Sequence, residues 1–86
     1  MKHDIKHYKI LLLKIWGKQY QVTGGRKVWL SKDRDEVLEL IGKYQNCTFE
    51  GAVKILNYCR RKKLVVAKHQ YSFYFQYTLN FQPTES

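Results

Sequence analysis

Residues 48–63 read TFEGAVKILNYCRRKK, and the fold turns on this stretch. At helical periodicity Phe49, Ala52, Val53, Leu56 and Cys59 fall on one apolar stripe, which predicts a helix running to about Lys62 with that side packed inward. Thr48 stands at its N-cap, where the hydroxyl can accept a backbone donor of the first turn. Lys54, Asn57 and Arg61 occupy the opposite side with Tyr58 beside them, while Arg60, Lys62 and Lys63 make the C-terminal end basic. Cations there offset the helix dipole. Dipole compensation does not need four of them, however, and it leaves Lys54, Asn57 and Tyr58 on the exposed sector unexplained.

Working upstream, Asp33 and Glu36 have the spacing of a capping box, so a second helix is expected to begin there. Val37, Leu38, Leu40 and Ile41 supply its apolar side and Gly42 its stop, leaving Gly42 to Cys47 as a connection. Asp33, Asp35, Glu36 and Glu39 cluster in sequence, but carboxylates in a first turn complement the dipole, and no His or Cys pattern completes a metal motif. Before them, Gly24 and Gly25 separate Tyr20-Gln21-Val22 from Lys27-Val28-Trp29-Leu30 and predict a β-hairpin. A three-residue loop over Gly24 to Arg26 sets Val22 opposite Val28 and Tyr20 opposite Leu30, a shared apolar face; a two-residue loop sets Lys27 opposite Val22. The former is the preferred register. Asp4 to Trp16 suits an amphipathic helix capped by Asp4, with Ile5, Tyr8, Leu11, Leu12, Ile15 and Trp16 along its stripe, although the branched residues of Lys9 to Trp16 also suit a strand.

Downstream, Leu64 to Ala67 and Tyr71 to Phe81 predict a second hairpin with Lys68-His69-Gln70 between its strands. Tyr71, Phe73, Phe75 and Tyr77 alternate with Ser72, Tyr74, Gln76 and Thr78, so the first set is expected to seal the core, with Tyr74 left to stack on bases. Residues 1–81 form one expected compact domain and residues 82–86 a flexible tail.

The 86 residues carry sixteen Lys+Arg against seven Asp+Glu, a formal net charge of +9, and 44 % of them are hydrophobic. That composition suits one small folded domain drawn to polyanions and excludes a two-domain enzyme. Cys47 and Cys59 have no neighbouring Cys or His partners, so neither a zinc site nor a catalytic thiol is expected, and the two read as packing residues of a reduced protein. Lys14 interrupts the apolar run of Ile10 to Leu13, which is too short to span a bilayer, and no membrane partner is expected.

The element order of helix, short strand contribution, helix, helix and two strands resembles the winged helix-turn-helix family over Asp4 to Phe81. The resemblance implies an α+β fold of about three helices with a Gly-Gly hairpin and a C-terminal β-hairpin. It also implies that Thr48 to Lys62 is the recognition helix and Lys68-His69-Gln70 the wing tip. Two features depart from the family: Gly42 to Cys47 exceeds the usual compact turn, and a full hairpin stands where one short strand is usual.

The functional expectation is a small nucleic-acid-binding protein, duplex DNA favoured over RNA, acting as a regulator in the cytoplasm or at the nucleoid. Lys54, Arg61 and Lys63 would contact phosphates, Asn57 would read a base edge, Tyr58 would pack on sugar or base, and Arg60 would join the binding surface. Lys68 and His69 would add a contact from the hairpin. The alternative is an adaptor or inhibitor binding an acidic protein through Trp29 and Tyr58; whether the chain forms a homodimer stays open. No cofactor, metal or catalytic residue is expected. A ribonuclease using His3, His7 or His69 ranks below both readings, since no acid-base pair is defined by proximity.

Overall fold

Asp4 starts the first helix by accepting a hydrogen bond at 3.0 Å from the backbone N–H of His7, and Gly17, at φ +60°, ends it. The computed structural model describes the backbone of residues 4–71 and 74–82 and, outside residues 68–75, their side chains. In chain order the elements are α1 (Ile5–Trp16), β1 (Tyr20–Thr23), β2 (Arg26–Trp29), β3 (Lys32–Asp33), α2 (Arg34–Gln45), α3 (Phe49–Arg61), β4 (Val65–Tyr71) and β5 (Tyr74–Leu79). Helix prevails over strand in α1 because Leu11, Leu12, Ile15 and Trp16 together bury one face, whereas Ile5, at its open end, stays exposed.

The N-terminal hairpin adopts the two-residue turn rather than the expected three-residue one. Gly24 and Gly25 take φ of +57° and +80°, the pair of positive values that a type I′ turn requires and that only glycine adopts at no steric cost. The register pairs Thr23 with Arg26, Val22 with Lys27 and Tyr20 with Trp29, so the Val22–Val28 apolar face does not form. Val22 is 68 % exposed. Such a face gains little when nothing covers it, and only the root of the hairpin is covered. There the Tyr20 and Trp29 rings meet edge to face at 5.7 Å, and the Lys27 ammonium lies 5.0 Å from the Tyr20 ring centre.

The capping box does not form either. Asp33 occupies the N-cap of α2, but its side chain makes no cap bond and instead accepts from Gln76 Nε2 at 3.3 Å, while Glu36 accepts from Lys32 Nζ at 3.1 Å. Asp33 also belongs to β3, and its place beside β5 turns the carboxylate toward the sheet. Gly42 is not a stop: α2 continues to Gln45 and ends at Asn46, in the left-handed region at φ +56°. A Cβ on Gly42 would stand 3.3 Å from the Cys47 carbonyl oxygen, so its missing side chain lets the chain double back closely. The turn into α3 is consequently the short Asn46-Cys47-Thr48, which removes the first departure from a helix-turn-helix geometry.

The second departure stands, since the full hairpin is present, but β3, a two-residue strand that the sequence did not announce, supplies the short strand after it. Lys32 and Asp33 pair with Tyr77 and Gln76, giving a three-stranded antiparallel sheet in the order β3-β5-β4, while β1 and β2 form a separate two-stranded sheet inserted before it. Three helices, the N-terminal hairpin and the C-terminal hairpin together make a small winged-helix-like α+β domain.

Trp16, Leu12, Val37, Leu38, Ile41, Leu56, Val65 and Tyr77 are among the residues that fill the core between the helices and the inner face of the sheet. Each Leu-sized side chain buried there contributes about 1.5–3 kcal/mol. Tyr77 is buried as the alternation requires, but Thr78 is buried as well. The outer face of β5 is covered at that point by β2: the Thr78 hydroxyl donates to the Trp29 carbonyl at 3.3 Å. Lys68-His69-Gln70 is not a hairpin tip. These residues lie within β4, where a bulge between Ala67 and His69 absorbs Lys68, and the ladder runs on to Tyr71 opposite Tyr74. The connection at residues 72–73 and the side chains of Tyr71, Phe73, Tyr74 and Phe75 lie outside the described set, as do residues 83–86 of the expected tail.

Candidate nucleic-acid interface

Thr48 caps α3 as its sequence requires, its hydroxyl accepting from the Gly51 N–H at 3.1 Å. Ala52, Leu56 and Cys59 are buried and Val53 partly so, but Phe49, assigned to the same stripe, is 64 % exposed. As the first residue of the helix, it borders a shallow groove that Asp35, Leu38, Glu39 and Lys43 of α2 and Cys47 also line.

On the other side Lys54, Asn57 and Arg61 are exposed, spaced so that they line one stripe, with Glu50 a turn before them. The stripe thus grades from a carboxylate at its N-terminal end to cations at its C-terminal end. Asn57, Arg60 and Arg61 border one open depression. Aromatic rings set the cations in place: the Arg60 guanidinium lies 5.4 Å from the Tyr77 ring centre, and Arg61 and Lys62 lie 5.8 and 5.7 Å from that of Tyr58. Tyr58 is half-buried and leans on Tyr8 of α1, ring centres 5.1 Å apart, so it acts as a shelf under the two cations. Burial, with lesser contributions from Cys59 and Tyr58, raises the Tyr8 phenol above the ordinary tyrosine range.

The helix ends in a two-bond closure in which Leu64 N–H donates to Cys59 O at 2.9 Å and Lys63 N–H to Arg60 O at 3.0 Å. Lys63 therefore adopts φ +64°, a place where helices usually put glycine. Asn80, just past β5, holds this end by donating from Nδ2 to the Lys63 carbonyl at 3.0 Å.

Of the residues singled out in the sequence, Lys54, Asn57, Tyr58, Arg60, Arg61 and Lys63 are thus gathered between the middle of α3 and its closing turn. Lys68 and His69 belong to β4, and their side chains lie outside the described set. Lys62 was passed over as a site residue; the tyrosine four positions earlier was the available signal. His7 is engaged in the fold, its Nε2 3.1 Å from Gln45 Oε1, and His3 lies outside the described residues. Cys47 and Cys59 are free thiols, and burial pushes that of Cys59 up to about 12, away from any nucleophilic role at neutral pH. Trp29 is buried and both its indole N–H and its carbonyl are bonded, so it does not present an interface side chain.

Among the described residues no helix is long and apolar enough to cross a membrane, and no group of three His, Cys, Asp or Glu side chains is arranged to hold a metal ion. The chain matches no family model, no curated protein and no solved structure.

Proposed function

We propose that this chain is a non-enzymatic, duplex-DNA-binding regulator that meets its target with the C-terminal half of α3. The observation that carries the reading is the exposed stripe of Lys54, Asn57 and Arg61 next to Arg60, Lys62 and Lys63. Lys54, Arg61 and Lys63 neutralise phosphates, and Asn57, between them, offers the paired donor and acceptor that fit an adenine edge in the major groove. Arg60 and Arg61 present planar forks suited to phosphate oxygens. Glu50 puts a carboxylate at the N-terminal end of α3 while the cations gather toward its C-terminal end, so the duplex approaches from the C-terminal end.

The test is a titration of nuclease-treated protein with duplex DNA, single-stranded DNA and RNA over a range of salt concentrations. The logarithm of affinity for duplex should fall linearly with the logarithm of salt, by about 0.9 per phosphate contacted. Lys54→Ala should weaken every duplex alike, whereas Asn57→Ala should narrow the difference between preferred and scrambled duplexes. Binding that ignores salt, or that survives the Lys54→Ala/Arg61→Ala double variant unchanged, would overturn the reading.

A protein-binding role is favoured by a different observation, the exposed Phe49 at the rim of its groove. With Trp29 buried, an acidic partner would have to engage Tyr58 and the surrounding cations. The Phe49 groove, lined by Leu38 and Cys47 with Asp35, Glu39 and Lys43 at its border, suits an apolar partner segment instead. A partner retained after nuclease treatment and lost with Phe49→Ala would support this role; retention by that variant would exclude the groove.

A further inference from the structure

From Ile5 to Lys32 the chain carries seven Lys or Arg residues and no carboxylate, so the whole N-terminal hairpin sits in a run of unopposed positive charge. The described carboxylates other than Asp4 lie instead between Asp33 and Glu50. This asymmetry meets a definite geometry. The hairpin is fastened across the outer end of the C-terminal sheet: Trp29 Nε1 donates to the Phe81 carbonyl at 2.6 Å and Thr78 Oγ1 to the Trp29 carbonyl at 3.3 Å. Between the two sheets runs a groove of about 290 Å³ with Arg26 and Lys27 on one wall and Val66, Thr78, Asn80 and Gln82 on the other. Lys9 of α1 lies at the same place, its ammonium 5.2 Å from the ring centre of Phe81, which also lines the groove.

The groove is continuous with the interface on α3 through one residue. Asn80 lines it and at the same time holds the Lys63 carbonyl at 3.0 Å, so the groove begins where the basic end of α3 stops. Arg26 is exposed directly after the Gly24-Gly25 turn, and Lys27 is steadied over the Tyr20 ring at 5.0 Å. A two-residue turn with matched twist gives this arm a defined shape rather than that of a loose loop.

We propose that the β1–β2 hairpin is a second phosphate-contacting arm: the backbone of a duplex held by α3 passes Lys63 and Asn80 and comes to lie against Arg26 and Lys27. The inference rests on the duplex-binding reading of α3 and extends it, since it assigns the second contact to the inserted N-terminal hairpin in addition to the C-terminal one. Apolar side chains line the groove without filling it, and its polar groups, the Asn80 and Gln82 amides, suit sugar and phosphate oxygens rather than base edges. The arm accordingly contributes affinity and footprint length, not sequence preference.

The experiment measures binding of a fluorescently labelled duplex longer than two helical turns to the full chain across a salt series, by anisotropy. Three double variants are compared with the unsubstituted protein: Arg26→Gln/Lys27→Gln in the hairpin, Lys54→Ala/Arg61→Ala in α3, and Lys14→Gln/Lys43→Gln, which removes the same charge from residues outside the groove. The hairpin variant should lower the slope of log affinity against log salt by about 2, for two lost phosphate contacts, with the preference for one duplex over a scrambled one preserved. Arg26→Gln alone should lower it by about 1 and serves where the double variant does not fold, as judged by circular dichroism. A hairpin variant with an unchanged slope, or one lowered no more than in the Lys14→Gln/Lys43→Gln control, overturns the arm while leaving α3 standing. A slope that falls with the hairpin variant but not with the α3 variant overturns the α3 reading instead, and absence of duplex binding by the unsubstituted chain overturns both.

Discussion

The indole N–H of Trp29 is bonded at 2.6 Å to the carbonyl of Phe81, 52 residues later, and this contact fastens the inserted hairpin to the end of the C-terminal sheet. The hydrogen bond is part-buried, so an unpaired Phe81 carbonyl would lose a partner without full access to water. Trp29→Phe keeps most of the ring packing against Tyr20 and removes only the donor. It should lower unfolding free energy by about 1–3 kcal/mol in urea titration and speed amide exchange at Leu30, whose N–H bonds Gln19 O at 2.9 Å. An unaltered denaturation midpoint would mean that the hairpin is held by packing alone.

The Gly24-Gly25 turn makes a sharper prediction because a Cβ at either position would meet no heavy atom within 4 Å. Any effect of substitution is then conformational. Gly24→Asn should be tolerated, since asparagine enters the left-handed region readily, whereas Gly25→Val should destabilise by about 1–2 kcal/mol. Equal effects of the two substitutions would contradict the type I′ assignment.

Lys63 separates stability from binding. It pays for a left-handed backbone that glycine takes freely, so Lys63→Gly should leave thermal stability unchanged or raise it by up to about 1 kcal/mol. The same substitution should weaken duplex binding and lower its salt slope by about 1. A lysine present only for structural reasons would not give that combination.

The two thiols should differ in reactivity. Cys47 is partly exposed and should react with a disulfide reagent in the folded protein, while Cys59, fully buried, should react only on unfolding. Burial raises the Cys59 pKa from 9.0 to about 12. Below pH 9 folded and unfolded chains both keep this proton and the thiol adds no pH dependence. Between pH 9 and about 12 the unfolded chain releases it and the folded chain does not, so stability falls as pH rises through that window. The fall should be shallower in Cys59→Ala than in the unsubstituted protein when both are unfolded in urea at a series of alkaline pH values.

Helices α2 and α3 were legible because each announces itself locally, whereas residues 4–16 suited a strand as well and only burial of one face decided for helix. Asp4 and Thr48 cap α1 and α3 where the sequence places them, and Leu12, Ile15, Leu38, Ile41 and Leu56 keep helical spacing on the buried sides. The sector of Lys54, Asn57 and Arg61 was legible for the same reason, being the remainder of a periodic pattern. What misled was the edge of each pattern. Phe49 continues the α3 stripe in projection but, as the first residue of the helix, stays exposed at the rim of a groove, and Gly42 has the composition of a stop while serving a close approach to Cys47 O at 3.3 Å. A stripe drawn on one helix says nothing of which of its positions a neighbour covers.

By itself, then, the sequence determined that α2 and α3 are helical, that the Gly pair turns the chain, and that positive charge collects at the C-terminal end of α3 and throughout residues 5–32, since these follow from neighbours a few positions apart. Only the tertiary structure decided that Lys32 and Asp33 become a strand, that Asp33 turns to Gln76 instead of its own helix, that Thr78 is covered, and that Asn80 joins the end of α3 to the groove beside Arg26. Each of these rests on hydrogen bonds and packing between residues far apart in the chain, and a local pattern carries no information about which distant group will arrive to accept a donor or shield a face from water.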